Sequence, residues 1–273
     1  HNMTTLQYTL NGDTLRYEAE GPTTVGPDLC LLDRDVDLTS DNDWSAQGYT
    51  VVPLFPKDIY ETFQRQTVDL VLQCWREAGL NIPPGFEPEL YHRIVPDQAT
   101  HLRAVERTKL LSTERFPGGI DVIEEHISAL CGRKLVAKNP FDNQRIFHFR
   151  VIRPRQGDNN PLHRDVWLED YSDCINLYIP VAGSNARSSL ILIPGSHRWK
   201  ESAIERTVAG AVINGQRFNV PAVTHIRVEH EFVRPDPAPN EVLVFSPYLI
   251  HGGAVNLNED TTRISIELRL WAR

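Results

Sequence analysis

Cysteine is scarce in this sequence, and no two cysteines stand at the spacing of a metal-binding or redox motif. Cys30, Cys74, Cys131 and Cys174 are scattered through the 273 residues. This usage excludes a disulfide-stapled secreted framework and a structural zinc site built on thiolates. It favours a reduced setting, and we predict a cytoplasmic protein.

Long apolar runs and an excess of positive charge are also missing. No stretch reaches the roughly 18 apolar residues of a membrane span, and no secretory signal pattern is present. The residues His1-Asn2 ahead of Met3 resemble a tag remnant. Lys+Arg number 28 against 36 Asp+Glu, a net charge of −8, whereas nucleic-acid-binding surfaces carry excess basic residues. We therefore expect a small-molecule partner, not nucleic acid or membrane; the oligomeric state stays open.

The size and composition suit one large β-rich domain with helical additions. Hydrophobic residues make up 41% of the chain and charged residues 23%, as in an ordinary globular protein. We predict a single domain over residues 1–273. Residues 1–140 would supply N-terminal strands and helices, and residues 141–273 a β-rich core.

The N-terminal part predicts one hairpin, one strand and several helices. Asn11-Gly12 is a favoured tight-turn pair between two alternating segments. Further on, apolar residues recur at helical spacing, and the glycines at 79 and 132 can end helices. The predicted elements are a hairpin of Leu6–Leu10 with Thr14–Ala19, a strand within Trp44–Phe55, and helices within Lys57–Gly79, Asp97–Thr113 and Ile120–Leu130.

After Lys138 the pattern changes to short β-rich runs separated by turn signals. Such a succession predicts a β-sandwich or jelly roll. The segment Trp199–Pro221 is a longer connection and a candidate lid over a pocket. The predicted strands are Arg145–Ile152, Cys174–Val181, Leu190–Ile193, Ala222–Val228, Glu241–Phe245 and Arg263–Trp271.

Two motifs in this β-rich half indicate a metal centre. In His163-Arg164-Asp165, residues i and i+2 of a strand share a face, so His163 and Asp165 can reach one metal while Arg164 points away. His251, before a Gly-Gly pair at 252–253, supplies a second imidazole where close approach is possible. Two histidines and one carboxylate leave three positions open, as in non-haem Fe(II) oxygenases. A kinase interpretation fails, because the catalytic-loop Asn and the Gly-rich phosphate loop are missing.

A polar pair, Arg263 and Ser265, follows the second histidine motif. A guanidinium binds a carboxylate bidentately, and a hydroxyl on the same strand face can add a hydrogen bond. The pair fits the distal carboxylate of 2-oxoglutarate, a co-substrate able to chelate the metal. The alternative is a structural salt bridge from Arg263 to Glu267 or Glu241.

The stretch from Phe147 to Trp271 resembles the Fe(II)/2-oxoglutarate-dependent dioxygenases of the phytanoyl-CoA dioxygenase-like superfamily. The resemblance implies a double-stranded β-helix (a cupin-like jelly roll) with N-terminal helices packed on it, and the strand pattern predicts the same mainly β fold independently. The shared marks are the strand 147–150, the phrase Pro-Leu-His-Arg-Asp at 161–165, Ile-Pro-Gly-Ser-His at 193–197, the His251 motif and Arg-Ile-Ser at 263–265.

The resemblance assigns His163, Asp165 and His251 as Fe(II) ligands and as the catalytic set. It implies 2-oxoglutarate and O₂ as co-substrates, with succinate and CO₂ released. Arg263 and Ser265 would hold the far end of 2-oxoglutarate. Related halogenases lack the carboxylate ligand, so Asp165 favours hydroxylation, desaturation or ring formation over halogenation.

The contacts at the near end of 2-oxoglutarate and at the substrate are less defined. The resemblance suggests Asn176 for the near end. Trp167, two residues after the aspartate of the metal motif, could share its cavity, as could Trp199. Arg150 and Arg187 could bind an anionic substrate. A small polar or natural-product-like metabolite fits as well as an acyl thioester.

Two other functions are compatible with these motifs. The first is a cupin-like isomerase or lyase that uses a divalent metal as a Lewis acid; it predicts activity without O₂ or 2-oxoglutarate and tolerance of Arg263→Ala. The second is a non-catalytic binding protein on the same fold, which predicts ligand binding with no succinate formed.

Overall fold

The computed structural model describes residues 2–33, 37–168, 171–252 and 255–273. Gly253, the second glycine of the pair after His251, lies outside these ranges. The helices are α1 (Lys57–Glu77), α2 (Tyr91–Ile94), α3 (Gln98–Arg107) and α4 (Ile120–Cys131). The strands are β1 (Met3–Leu10), β2 (Asp13–Glu20), β3 (Thr23–Val25), β4 (Tyr49–Pro53), β5 (Leu111–Ser112), β6 (Leu135–Val136), β7 (Ile146–Ile152), β8 (Cys174–Ala182), β9 (Ile204–Thr207), β10 (Ala211–Ile213), β11 (Gln216–Phe218), β12 (Val223–Ile226), β13 (Glu241–Phe245) and β14 (Arg263–Ala272).

The N-terminal hairpin forms as predicted. Strands β1 and β2 pair antiparallel from Met3 opposite Glu20 to Leu10 opposite Asp13. Asn11 and Gly12 both have positive φ, 50° and 84°, the conformation that a two-residue hairpin turn requires. The hairpin continues into a four-stranded sheet in the order β1-β2-β10-β11.

The large sheet positions the later motifs. Its strands follow the order β4-β13-β8-β14-β7-β5, with β6 also paired to β14. Strand β14 lies between β8 and β7 and is antiparallel to both. Its central place explains its alternation of buried apolar and polar residues, since successive side chains point to opposite faces.

The layer opposite the large sheet is paired through isolated β-bridges where it carries the histidine motifs. His163 bridges His251, His251 bridges Leu192, and Leu192 bridges Val233, each antiparallel. The predicted strand over 190–193 is present only as these bridges. The two layers form the predicted double-stranded β-helix, a jelly roll, with the histidine motifs in its less regular layer.

The helices cover one face of the large sheet, as predicted. Trp75 of α1 and Ile123 and Ile127 of α4 are fully buried in one cluster with Phe147 of β7 and Leu268 of β14. Burial of apolar area on this scale is the main stabilising contribution to such a layer. In the described part of the chain, no helix is long and apolar enough to cross a membrane.

Two of the predicted helices have the expected ends, and one is shorter. Helix α4 ends at Gly132, which is left-handed at φ 68°. Helix α3 stops at Arg107, six residues before the predicted limit, and Thr108 Oγ1 donates to the carbonyl of Ala104. The chain then continues as β5, because pairing of 111–112 with β7 replaces helical hydrogen bonds.

The segment Trp199–Pro221 is not a plain connection, because it folds into short strands. Its residues 216–220 border a cleft that His163 and Asp165 also line, which agrees with the prediction that it lies over a pocket. The segment contains β9, β10 and β11; β9 pairs with β3 and β12, and β10 pairs with β2. Gly210 and Gly215 turn the chain with positive φ, 59° and 83°. Strands of three or four residues are too short to show an alternating pattern, so the sequence did not indicate them.

Candidate metal centre

Two histidines present one ring nitrogen each to the same point. Nδ1 of His163 lies 2.7 Å from the carbonyl oxygen of Pro161, and Nδ1 of His251 lies 2.9 Å from that of Leu249. A carbonyl only accepts, so each Nδ1 carries a proton and donates it. This leaves Nε2 of each ring as the atom available to a metal, the usual role of such a supporting bond.

Asp165 completes the set. Its Oδ1 lies 3.0 Å from Nε2 of His163 and 3.2 Å from Nε2 of His251. One ligand atom from each of the three residues lies within 4.8 Å of the other two, and all three residues are buried. The structure therefore brings together three side chains that could hold one metal ion.

The pKa values of the three residues are shifted in different directions by their surroundings. Burial lowers the pKa of His163, and the neighbouring His251 lowers it further. Burial also acts against a charged His251, but the Asp165 carboxylate outweighs it and raises the pKa of His251. Burial would raise the pKa of Asp165, yet His251 and Arg269 hold it well below its usual value. Without metal, these surroundings therefore favour a charged His251 beside an ionised Asp165.

The local backbone differs from the strand predicted for the His-Arg-Asp motif. His163 is in a β-bridge, but Asp165 opens a 3₁₀ turn, Asp165–Trp167. The turn brings Trp167 away from the cavity, and its indole N–H donates to Glu201 at 3.0 Å. Arg164 points away from the metal position as expected and forms a buried ion pair with Glu201.

A cavity extends from the three residues to Arg263 and Ser265, both on β14. Both residues are buried, and Nε and Nη1 of Arg263 and Oγ of Ser265 have no hydrogen-bond partner among the described residues. Arg263 forms no ion pair with Glu267 or Glu241 within this part of the chain, so the salt-bridge alternative is wrong. The guanidinium lies over the ring of Tyr178, with 5.3 Å to its centroid.

Strand β14 supplies four cavity residues in succession. Arg263, Ser265, Glu267 and Arg269 alternate with buried apolar residues and all line the cavity. Sequence reasoning missed Arg269 and gave Glu267 only as a possible partner of Arg263. The signal was present, because residues i, i+2, i+4 and i+6 of a strand share one face.

Arg269 and Asn176 both reach the carboxylate of Asp165. Asn176 Nδ2 donates to Oδ2 of Asp165 at 2.6 Å, and Nη2 of Arg269 lies 3.4 Å from the same atom. Glu267 in turn forms an ion pair with Arg269 at 2.7 Å and accepts a hydrogen bond from Nε of Arg150 at 2.5 Å. Asn176 lines the cavity as expected, with one N–H committed to Asp165; its contact with 2-oxoglutarate stays a prediction.

The residues predicted for the substrate are dispersed. Arg150 lines the cavity, paired with Glu267. Arg187 is half-exposed, 3.9 Å from Asp13. Trp199 packs against a separate cluster of buried apolar residues that includes Leu162 and Ile193, and neither residue lines the cavity.

An open cleft approaches the metal position from outside. His163 and Asp165 line it together with one wall from α3 and another from the segment 216–220. The sequence indicated one wall, since 216–220 belong to the candidate lid Trp199–Pro221, but it gave no signal for the wall from α3. Its other lining residues include Leu102, Val105, Lys109, His148, Leu168, Tyr171, Arg217 and Phe218.

The donor set fits an iron ion and 2-oxoglutarate. Imidazole nitrogens and one carboxylate oxygen suit Fe(II) with open positions. A buried guanidinium and a buried hydroxyl without partners match a carboxylate, because unpaired buried donors are costly. A jelly roll with two histidines and one aspartate around such a cavity defines the class of mononuclear non-haem metal oxygenases.

The chain matches the family model described as phytanoyl-CoA dioxygenase (PhyH) over residues 45–265. It belongs to that family. It is therefore an Fe(II)/2-oxoglutarate-dependent dioxygenase, with Fe(II), 2-oxoglutarate and O₂ as cofactor and co-substrates. A search of curated proteins finds no match.

Solved structures give further, distant likenesses. AviO1 from Streptomyces viridochromogenes Tue57 has 15% identity and a TM-score of 0.46, covering 89% of this chain and 96% of its own. EctD from S. alaskensis, with 2-oxoglutarate and 5-hydroxyectoine, has 16% identity and a TM-score of 0.49, covering 93% and 84%. SnoK, a non-heme alpha ketoglutarate dependent carbocyclase from nogalamycin biosynthesis, has 15% identity and a TM-score of 0.47, covering 90% and 87%. At TM-scores below 0.5, these likenesses say nothing about the chemistry of this chain.

Proposed function

We propose that this dioxygenase hydroxylates a small-molecule metabolite, with Fe(II) held by His163, Asp165 and His251. The observation that carries the proposal is one continuous cavity. Three ligand atoms within 4.8 Å of one another stand at one part of it, and Arg263 and Ser265 with their unpartnered donors stand at another. A dicarboxylate that chelates a metal through its 2-oxo acid end would satisfy both parts.

When bound, the metal supplies an oxidant for a C–H bond at the expense of O₂ and 2-oxoglutarate, which leaves as succinate and CO₂. The protein supplies position and a dry site. Arg263 neutralises the distal carboxylate, Ser265 donates one hydrogen bond, and the burial of both keeps water away. Positioning of this kind is a large part of what a protein adds to cofactor chemistry.

Asp165 supports hydroxylation over halogenation. A halogenase needs the position of the carboxylate for halide, whereas Asp165 is present, buried and held by hydrogen bonds. The oxidised molecule would enter by the cleft between α3 and the segment 216–220, which leads to His163 and Asp165. The walls suit a metabolite with an apolar face, because they contain Leu102, Val105 and Phe218. We also propose that a single domain carries the whole function.

The test is an anaerobic titration of the metal-free protein with Fe(II), then with 2-oxoglutarate, which follows the visible charge-transfer band of the chelate. The wild type should form the band. Asp165→Ala should lose it, and Arg263→Ala should weaken 2-oxoglutarate binding by roughly 10- to 100-fold, since charge-assisted hydrogen bonds contribute about 1.5–3 kcal/mol.

The matched control is Arg187→Ala, which removes an arginine that is 52% exposed in its side chain and lies outside the cavity. Its band should equal that of the wild type. Iron binding without the chelate band would instead support the Lewis-acid isomerase or lyase. A protein that binds no Fe(II) would remove the proposal.

A further inference from the structure

The two oxygens of the Asp165 carboxylate have different surroundings. Oδ1 faces Nε2 of His163 at 3.0 Å and Nε2 of His251 at 3.2 Å. Oδ2 faces the opposite way, toward Asn176 at 2.6 Å and Arg269 at 3.4 Å. One oxygen is therefore presented to the metal position and the other to hydrogen-bond donors.

Asn176 and Arg269 come from neighbouring strands at one level. They are cross-strand partners in the register of β8 and β14, so both side chains project from the same rung of the large sheet. Direct cross-strand neighbours are close enough to act on one group. The positions of the two donors are thus set by the sheet, and Asp165 meets them from its 3₁₀ turn.

Arg269 is itself held in place. Its guanidinium lies over the ring of Tyr171, 4.3 Å from the centroid, and pairs with Glu267 at 2.7 Å. Glu267 also binds Arg150, so the cluster contains two carboxylates and two guanidinium groups. An arginine confined on three sides has little freedom to leave the carboxylate of Asp165.

The orientation matters because a carboxylate can bind a metal through one oxygen or two. With two oxygens bound, the three residues would fill four octahedral positions. A chelating co-substrate takes two more, and none would stay open for O₂. Donors on Oδ2 disfavour that mode, because metal coordination there would displace hydrogen bonds to a charged oxygen.

We infer that Asn176 and Arg269 are positioning residues that restrict Asp165 to a single metal-binding oxygen and so keep three coordination positions open. The inference rests on the proposed function of the site. It assigns to Asn176 a role other than the predicted contact with 2-oxoglutarate. It also gives Arg269 a function that its place among the cavity-lining residues of β14 does not by itself indicate.

The test uses Co(II) as a spectroscopic probe of the metal-free protein, together with the Fe(II)/2-oxoglutarate titration. The variants are Asn176→Ala and Arg269→Met. Both should still bind metal through three residues, with affinity lower by roughly 10- to 100-fold, as for other outer-sphere partners. The d–d spectrum should change in intensity before any co-substrate is added, and the 2-oxoglutarate chelate should form less completely at saturating metal.

Arg187→Met is the matched control, because it removes an arginine that lies outside the cavity lined by Asp165. Its Co(II) spectrum and chelate formation should equal those of the wild type. Arg269→Lys, which keeps a donor and the charge, should recover part of the loss. If Arg269→Met does not fold, Asn176→Ala decides, since it leaves no unpaired charge.

Wild-type Co(II) spectra and chelate formation in both Asn176→Ala and Arg269→Met would overturn the inference. So would an equal loss in Arg187→Met, which would show a general effect of charge. A wild-type protein that fails to bind Fe(II) and 2-oxoglutarate would instead overturn the proposed function. The two failures are therefore distinguishable in one set of titrations.

Discussion

His163 and His251 are joined through their backbones as an antiparallel bridge. The N–H of His163 donates to the carbonyl of His251 at 2.9 Å, and the N–H of His251 donates to that of His163 at 3.0 Å. Their ring centroids lie 4.4 Å apart. Main-chain hydrogen bonds therefore set the spacing of the two imidazoles, and the metal position is organised before any metal binds.

Gly252 should be sensitive to the addition of one methyl group. Its φ is +107°, and a Cβ there would lie 2.4 Å from the carbonyl oxygen of Pro161 and 3.2 Å from Nδ1 of His163. That carbonyl orients the His163 ring. Gly252→Ala should lose about 1–3 kcal/mol of unfolding free energy from backbone strain and should also bind metal more weakly.

Gly85→Ala is the control for this prediction. Gly85 has φ +70° and open space around its Cβ position, so its variant carries the strain without the clash. Thermal denaturation should show lower stability in both variants, and metal titration should show lower metal affinity in Gly252→Ala alone. Wild-type metal affinity in Gly252→Ala would refute the argument.

Metal binding should release a proton, to an extent that depends on pH. The pKa of His251 is raised above its ordinary 6.5 by Asp165, so the metal-free protein holds a proton there. Its stabilising contribution is complete below pH 6.5 and is lost as pH rises through the raised pKa. Burial and the neighbouring His251 lower the pKa of His163, so near pH 6.5 that ring contributes less to the proton release than His251 does.

We expect metal binding to release protons near pH 6.5, chiefly from His251, and none well above the pKa of His251. The apparent metal affinity should rise with pH over that interval and then level off. Calorimetry in two buffers of different protonation enthalpy measures the release directly. A heat of binding at pH 6.5 that is the same in both buffers would contradict the assignment.

Arg234 should affect 2-oxoglutarate without touching the cavity. It is buried, and its Nε and Nη1 have no hydrogen-bond partner in the described part of the chain. Burial and the charge of Arg263 lower its pKa to about 10. Two buried like charges repel each other until an anion arrives.

Arg234→Met should therefore raise the melting temperature of the cofactor-free protein and weaken 2-oxoglutarate binding by roughly tenfold, about 1.4 kcal/mol. Arg234→Lys keeps the charge and should bind nearly as the wild type does. Differential scanning calorimetry and equilibrium titration give the two readouts. A variant that is less stable and binds 2-oxoglutarate normally would show that Arg234 is a packing residue only.

The ion pair of Arg164 with Glu201 should contribute strongly to stability. Both side chains are at most 4% exposed, and Glu201 also accepts the indole N–H of Trp167. Arg164→Met leaves a buried carboxylate unpaired and should cost about 3–5 kcal/mol. Denaturant unfolding of the single variant and of Arg164→Met/Glu201→Met checks this, since the double variant should recover part of the loss. No recovery would mean that packing, not charge, determines the effect.

The sequence was sufficient for the large elements and for the convergence of the metal motifs. Strand 241–245 has the predicted bounds, and the alternation along Arg263–Trp271 places Arg263 and Ser265 on one face. The convergence of His163, Asp165 and His251 could be predicted because two histidines and one aspartate in these motifs are typical of a metal site in a β-rich domain.

Contacts that depend on register could not be predicted. That Asn176 stands opposite Arg269 is a property of the pairing between β8 and β14, which no local pattern encodes. The direction of Trp167 depends on a 3₁₀ turn in place of a strand. The cleft walls require knowledge of how α3 and β11 pack across the molecule.

The hairpin β1–β2 lies outside residues 45–265, the part that the family model matches, yet it shapes the approach to the metal. Ala19 and Glu20 pair with β10, and β10 pairs with β11, whose residues 216–218 line the cleft. Grafting a different hairpin onto this edge would reshape the entrance while every residue of the metal centre stayed unchanged. Diversification of such an enzyme, by evolution or by design, can thus proceed from a module that is remote in sequence from its chemistry.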